Sequence, residues 1–244
     1  MNRIRRNLLV LAASTAMMLG AAAAHADDVL RVATDATFPP FEYSENGKRT
    51  GFDIDLIEAI AKELNRKVEW TDIDFKGLIP GLVAKRFDVA ASAIYITDER
   101  RKVVDFTDPY YPGGLVIMTK KGDTSIKGPE DLKGKKVTVQ VGTKSVNYLK
   151  EHYPDVQRVE VEKNQEMFQL VEIGRADAAV TGKPAAKLYA RTRGTLQVVD
   201  KQLTVEEYGY ALRKDEPELT RQFNEALKKL KADGTYDKLV AKYL

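Results

Sequence analysis

The sequence predicts an α/β protein built as two lobes. Stretches with strand character alternate with stretches of helical apolar spacing. A polar, Gly- and Lys-rich break, Lys120 to Pro129, splits the alternation into two sets. The 218 residues that follow an export leader suffice for two small domains. Such alternation implies mostly parallel sheets covered by helices.

The leader comes first. Arg3, Arg5 and Arg6 form a basic start, and Leu8 to Leu19 is an apolar run shorter than the ~20 residues of a membrane-spanning helix. Ala24-His25-Ala26 fits an A-x-A cleavage site, so residues 1–26 read as a signal peptide and Asp27 as the mature start. The leader holds three Arg and no acid, which leaves 36 basic and 36 acidic residues. A net charge of zero gives no reason to expect a nucleic-acid or anionic-membrane partner. There is no Cys, hence no disulfide, no thiolate and no N-terminal lipid on Cys. Beyond His25 in the leader only His152 remains, too little for a His triad or a multi-His metal site. No cofactor is expected, and a soluble periplasmic monomer is.

Val29 to Thr34 reads as a strand. Phe52, Leu56, Ile57, Ile60 and Leu64 recur at helical spacing and place a helix at about 53–65. Val68 to Asp72 is a strand. Leu78, Ile79, Leu82 and Val83 mark a helix that tolerates Pro80 only in its first turn. Val89 to Ile94 is an apolar run suited to a strand buried on both faces. Asp105 to Thr107 and Leu115 to Thr119 are extended pieces. After the break, Val137 to Val141, Arg158 to Val161, Asp177 to Thr181 and Leu196 to Val199 read as strands. Helices run from Lys144 to about His152, from Gln165 to Ile173, and from Pro184 to Arg191 with Pro at the start. Tyr208 to Leu212 is a strand. Helices at about Pro217 to Ala232 and Thr235 to Lys242 flank the stop signal Asp233-Gly234.

Ligands of open α/β sheets lie beyond the carboxyl ends of the strands. The segment after Thr34 carries Asp35 and Phe38, which read equally as an acid and an apolar cover for a ligand or as a cap and a core residue. Phe75 before a helix start reads as a hydrophobic staple or as a cleft wall. After Ile94, Thr97 looks like an N-cap for a short helix carrying Arg100; helix N–H groups and a guanidinium together make an anion trap. The bland alternative pairs Arg100 with Asp98 or Glu99. Gly142-Thr143-Lys144-Ser145 is a small-residue turn at a helix start, able to offer N–H donors to the same anion.

Taken in order, the strings TDATFPPFEY, GFDIDLIEAIAKEL, IDFKGLIPGL, ITDERRKVVDFTDPYY, GTKSV, IGRADAAVTGKP and ALKKLKADGTYDKL resemble the polar-amino-acid family (family 3) of ABC-transporter solute-binding proteins. Glutamine- and lysine/arginine/ornithine-binding members look most similar. The resemblance implies a type II flytrap fold with two hinge crossings: lobe 1 at 27–112 and 206–244, lobe 2 at 113–205. It implies a small amino-acid-like ligand and a partner permease of an ABC importer in the inner membrane. Arg100 would clamp the ligand carboxylate, helped by backbone groups at Tyr95 and at Thr143, Lys144 and Ser145. Ala93 would offer its carbonyl to the ammonium, Phe38 and Phe75 would sandwich the side chain, and Asp35 and Gln140 would lie near its far end.

Two departures stand out. Tyr95 occupies the place of a small hydroxyl residue, and Gly182 the place of the Asp that holds the ammonium. A buried ammonium without a carboxylate is costly. A small or atypical amino acid, such as D-alanine, is therefore weighed against glutamine or another polar L-amino acid. Two rivals are a same-fold enzyme resembling cyclohexadienyl dehydratase, with Glu42 or Glu166 as its acid, and a protein that presents its ligand to a chemoreceptor. The expectation is of a binding protein, not an enzyme.

Overall fold

A computed structural model describes residues 29–244, so the leader, its cleavage site and the start at Asp27 lie outside the described residues. The first sheet centres on β1 (Val29–Thr34), which pairs in parallel with β5 (Lys67–Asp72) on one side and β6 (Val89–Ala90) on the other. β15 (Ala211–Leu212) and β7 (Asp105–Phe106) extend it, both antiparallel to their neighbours. Alternate residues of β1 feed opposite faces: Leu30 and Val32 pack with helix α1 (Phe52–Glu63), and Ala33 packs with Leu78 and Leu82 of helix α2 (Leu78–Val83). Helix α7 (Pro217–Ala232) closes the first face with Phe223, Leu227 and Leu230. Helix α8 (Thr235–Tyr243) follows Gly234.

The second sheet centres on β10 (Lys136–Gln140), parallel to β11 (Gln157–Val161) and β12 (Ala178–Gly182). β9 (Leu115–Lys120) runs antiparallel to β12 and to β13 (Leu196–Val198). Helices α4 (Lys144–His152), α5 (Asn164–Glu172) and α6 (Lys183–Arg193) belong to this lobe. The chain passes from the first sheet to the second through β8 (Tyr111–Pro112) and returns through β14 (Glu207–Tyr208), and the two crossings pair antiparallel. The architecture is thus α/β, with two lobes joined by a double crossing.

Three expectations require correction. The sheets are not mostly parallel: each has two parallel and two antiparallel pairings, because strands that enter or leave a lobe at the crossing run against the rest. β6 ends at Ala90 rather than Ile94, because Ala93 takes φ 42° with its N–H donated to the Asp53 carboxylate. The single strand expected at Tyr208 to Leu212 is two strands in two sheets. Between them Gly209 N–H bonds to Ile94 O, and Tyr210 exchanges bonds with Thr107.

A three-stranded sheet of β2 (Thr37–Phe38), β3 (Glu42–Glu45) and β4 (Lys48–Thr50) goes beyond the sequence reading. Its turn is Asn46-Gly47, both at positive φ (51° and 74°), the pair that a two-residue hairpin loop favours.

Candidate functional site

The carboxyl ends of both central sheets converge on one cavity. Its wall takes Asp35 and Phe38 from the end of β1, Ala93 and Tyr95 from beyond β6, and Phe75 from the turn before α2. The other lobe contributes Gln140, Thr143, Lys144, Ser145 and Gly182. All of these residues were singled out from the sequence. Arg100 lies in the adjoining mouth of the cleft, which shares Lys144 with the cavity. Glu42, Ser92, Asn164 and Tyr208 line the cavity as well, and as wall residues sequence reasoning missed them.

Arg100 sits on the four-residue helix α3 (Asp98–Arg101), capped by Thr97, whose hydroxyl accepts the Arg100 N–H at 3.2 Å. Its guanidinium lies over the Phe75 ring, 5.6 Å from the centroid. Nη1 donates to Tyr95 O at 2.8 Å, and Nη2 crosses the cleft to Gly142 O at 3.2 Å. Among the described residues the fork meets no carboxylate; Glu99 instead accepts from Asn147. Burial lowers the guanidinium to about 10, against the pull of Glu99. Gly142 comes close to the facing lobe: its φ is +77°, and a Cβ there would stand 2.9 Å from Lys76 Cα.

Asp35, 2% exposed, has both oxygens committed. Oδ1 accepts from Thr37 Oγ1 and Lys163 Nζ, and Oδ2 from Gln140 Nε2 at 2.7 Å and Phe75 N at 3.2 Å. Gln140 is equally engaged, since its amide also donates to Glu162 O and accepts from Asn164. Lys163 further pairs with Asp74, and Lys76 with Glu162. These two wall residues therefore tie the lobes to each other and keep no free polar atom for a ligand side chain. Thr143 turns its hydroxyl onto Gln140 O, which leaves the backbone at the start of α4 as the polar surface there.

At Gly182, the last residue of β12, an added Cβ would stand 2.4 Å from Tyr208 Oη, 3.1 Å from Phe38 Cζ and 3.2 Å from Tyr95 Oη. The aromatic side chains thus fill the space of a side chain at 182. Tyr95 and Tyr208 stack with centroids 4.6 Å apart. Tyr208 donates to the Tyr95 hydroxyl, which in turn donates to Gly114 O. Burial raises both phenols above their ordinary range.

Beneath Ala93 lie two acids that are fully buried. Glu42 accepts from Ser92 Oγ at 3.0 Å. Asp53 Oδ2 accepts from Ala93 N and Tyr110 Oη, each at 2.8 Å. Glu42 Oε2 and Asp53 Oδ1 have no partner among the described residues. Burial raises Asp53 to about 7 and lifts Glu42 well above the carboxylate range, with Asp53 adding repulsion. Protons therefore bind the folded state more tightly than the unfolded chain from about pH 4 to about pH 7, and stability is lost as pH rises through that window. Exposed acids such as Asp215, whose pKa is lowered, are ionised in both states by then and do not change the slope. Denaturant unfolding at about pH 5 and about pH 8 is expected to show this loss, a few kcal/mol in size, and Asp53→Asn is expected to shrink it.

Comparison with known proteins agrees with this geometry. The sequence profile of bacterial extracellular solute-binding proteins, family 3, matches residues 30–244. The ABC transporter arginine-binding protein 1 of Escherichia coli (strain K12) is 36% identical over 238 residues, covering 95% of this chain and 96% of its own length. An ancestral arginine-binding protein bound to arginine superimposes with a TM-score of 0.86 at 45% identity, over 90% of this chain and 100% of that one. The ancestral amino acid-binding protein AncCDT-1, a precursor of cyclohexadienyl dehydratase, gives 0.84 at 47% identity, over 88% and 95%. With the match running from β1 to the last residue, and with the double crossing and inter-lobe cavity in place, this chain belongs to the bacterial extracellular solute-binding proteins, family 3.

Proposed function

We propose that this protein holds a small amino acid between its lobes in the periplasm and delivers it to the permease of an ABC importer. The supporting observation is Arg100. Its fork spans carbonyls of both lobes and meets no carboxylate among the described residues. Carbonyls satisfy its hydrogen bonds but not its charge, and a ligand carboxylate supplies both. Lys144 and Ser145, at the start of α4, line the adjoining cavity, and N–H groups at a helix start favour the same anion.

Size argues for a small solute. The enclosed cavity is small, about 40 Å³, and adjoins the mouth that carries Arg100. A long cationic side chain would also find Asp35 already held by Lys163. Glycine and the enantiomers of alanine and serine fit these limits, with a D-isomer favoured by the altered ammonium end at Gly182. We read the protein as binding without chemistry. Glu166 lies exposed on α5, and Glu42 is fully buried and accepts from Ser92.

Calorimetric titration with glycine, D- and L-alanine, D- and L-serine, L-glutamine and L-arginine tests the reading. A small member is expected to bind with a micromolar Kd, about −8 kcal/mol. Prephenate incubated with the protein is expected to be recovered unchanged. Tight binding of L-arginine alone would refute the size argument, and aromatic product from prephenate would refute the absence of chemistry.

A further inference from the structure

We propose that Glu42 is the acidic partner of the ligand's ammonium, standing in for the acid that Gly182 lacks. This rests on the amino-acid reading of the same cavity.

Two acids line the cavity, Asp35 and Glu42. Asp35 is saturated by four donors. Glu42 is not. Its Oε1 accepts one bond, from Ser92, and its Oε2 has no donor in the surrounding protein. Asp53 shows the same asymmetry, with Oδ2 accepting two bonds and Oδ1 none. What remains is a buried acid oxygen, Glu42 Oε2, without a donor among the described residues. The groups facing it are the phenols of Tyr110, Tyr208 and Tyr210 and the carboxyl groups of Asp35 and Asp53; none is cationic. A buried charge without a counter-ion is costly, and an ammonium entering the cavity removes that cost.

The same network prepares the neighbouring acceptor. Asp53 holds the Ala93 N–H while Ala93 stands at φ 42°, a conformation that a non-glycine residue rarely takes. Such a conformation persists only where surrounding contacts over-determine it. Here it turns the backbone at the cavity wall. Ser92, between Glu42 and the Asp35 N–H, fixes the acid's orientation. Glu42, Ser92 and Ala93 thus lie together on the cavity wall.

The test titrates wild type and Glu42→Gln with D-alanine, L-alanine and propionate, which has the same carbon skeleton without the ammonium. Glu42→Gln is expected to lose about 100-fold in affinity for whichever alanine enantiomer binds wild type, and to keep its affinity for propionate. Wild-type affinity for alanine is also expected to fall as pH drops from about 8 to about 5, because the ammonium favours the ionised form of an acid whose pKa burial raises, while alanine's own groups do not titrate there. If Glu42→Gln fails to fold, this pH profile decides, and a flat profile overturns the proposal. Retention of alanine affinity in folded Glu42→Gln overturns it too. Failure of wild type to bind any amino acid in the panel overturns the amino-acid reading itself, a result distinct from either.

Discussion

Arg100→Ala is expected to weaken amino-acid binding by about 1,000-fold while leaving the lobes folded. A bidentate charge-assisted pair is among the strongest polar contacts available, and truncating one partner of a buried pair costs about 2–5 kcal/mol. The loss here, about 4 kcal/mol, lies toward the upper end of that range, because the same side chain also covers Phe75 and bonds to Gly142 across the cleft. Arg100→Lys keeps the charge but not the planar fork, so it is expected to fall between the two. The measurements are titration calorimetry for affinity and a thermal melt for the fold. Unchanged affinity in Arg100→Ala would retire the carboxylate clamp.

Gly182→Asp is expected to destabilise the protein rather than restore the acid that resemblance leads one to seek there. The new Cβ would overlap Tyr208 Oη at 2.4 Å and crowd Phe38 and Tyr95. Overpacking of this kind costs about 1–3 kcal/mol, and a carboxylate without a partner adds to it. For a chain of this size, about 3 kcal/mol corresponds to a fall in Tm of roughly 10 °C. Tyr208→Phe in the same chain removes the nearest clashing atom and is expected to recover part of the loss. An unchanged melting temperature in the single variant would mean that the aromatic packing at 182 is looser than these distances state.

Local signals explain what the sequence made legible. β1 and α1 follow from alternation and from apolar spacing, and α7 from Pro217 at one end and Asp233-Gly234 at the other. Asp35, Phe38 and the turn at Thr143 to Ser145 follow from the rule that such sheets bind ligands at strand ends, whereas Ala93, Gln140 and Gly182 came from the family resemblance. The Asn46-Gly47 hairpin was equally local, and attention to that dipeptide would have found it. The rest is set by contacts distant in sequence. Asp53 reads as an ordinary acid in the first turn of a helix, yet it fixes the backbone of Ala93, forty residues away. Tyr208 reads as one residue of a strand, yet its hydroxyl meets Tyr95 at a separation of 113 residues. Asp35 and Gln140 were marked for the ligand, but they bond to each other across 105 residues. No pattern within either segment announces such a partner.

Gly142 has one further consequence. Its bare α-carbon faces the backbone of Lys76 on the opposite lobe, at a distance that admits no methyl group. Any other residue at this place would meet the facing wall first, and the two halves would rest further apart. Arg100 would then fall short of the carbonyl it now reaches, and the ties from Gln140 and Lys163 to Asp35 would stretch with it. The missing side chain therefore acts as a spacer of zero thickness: it sets how far the jaws can travel, and with that the depth of the chamber they enclose.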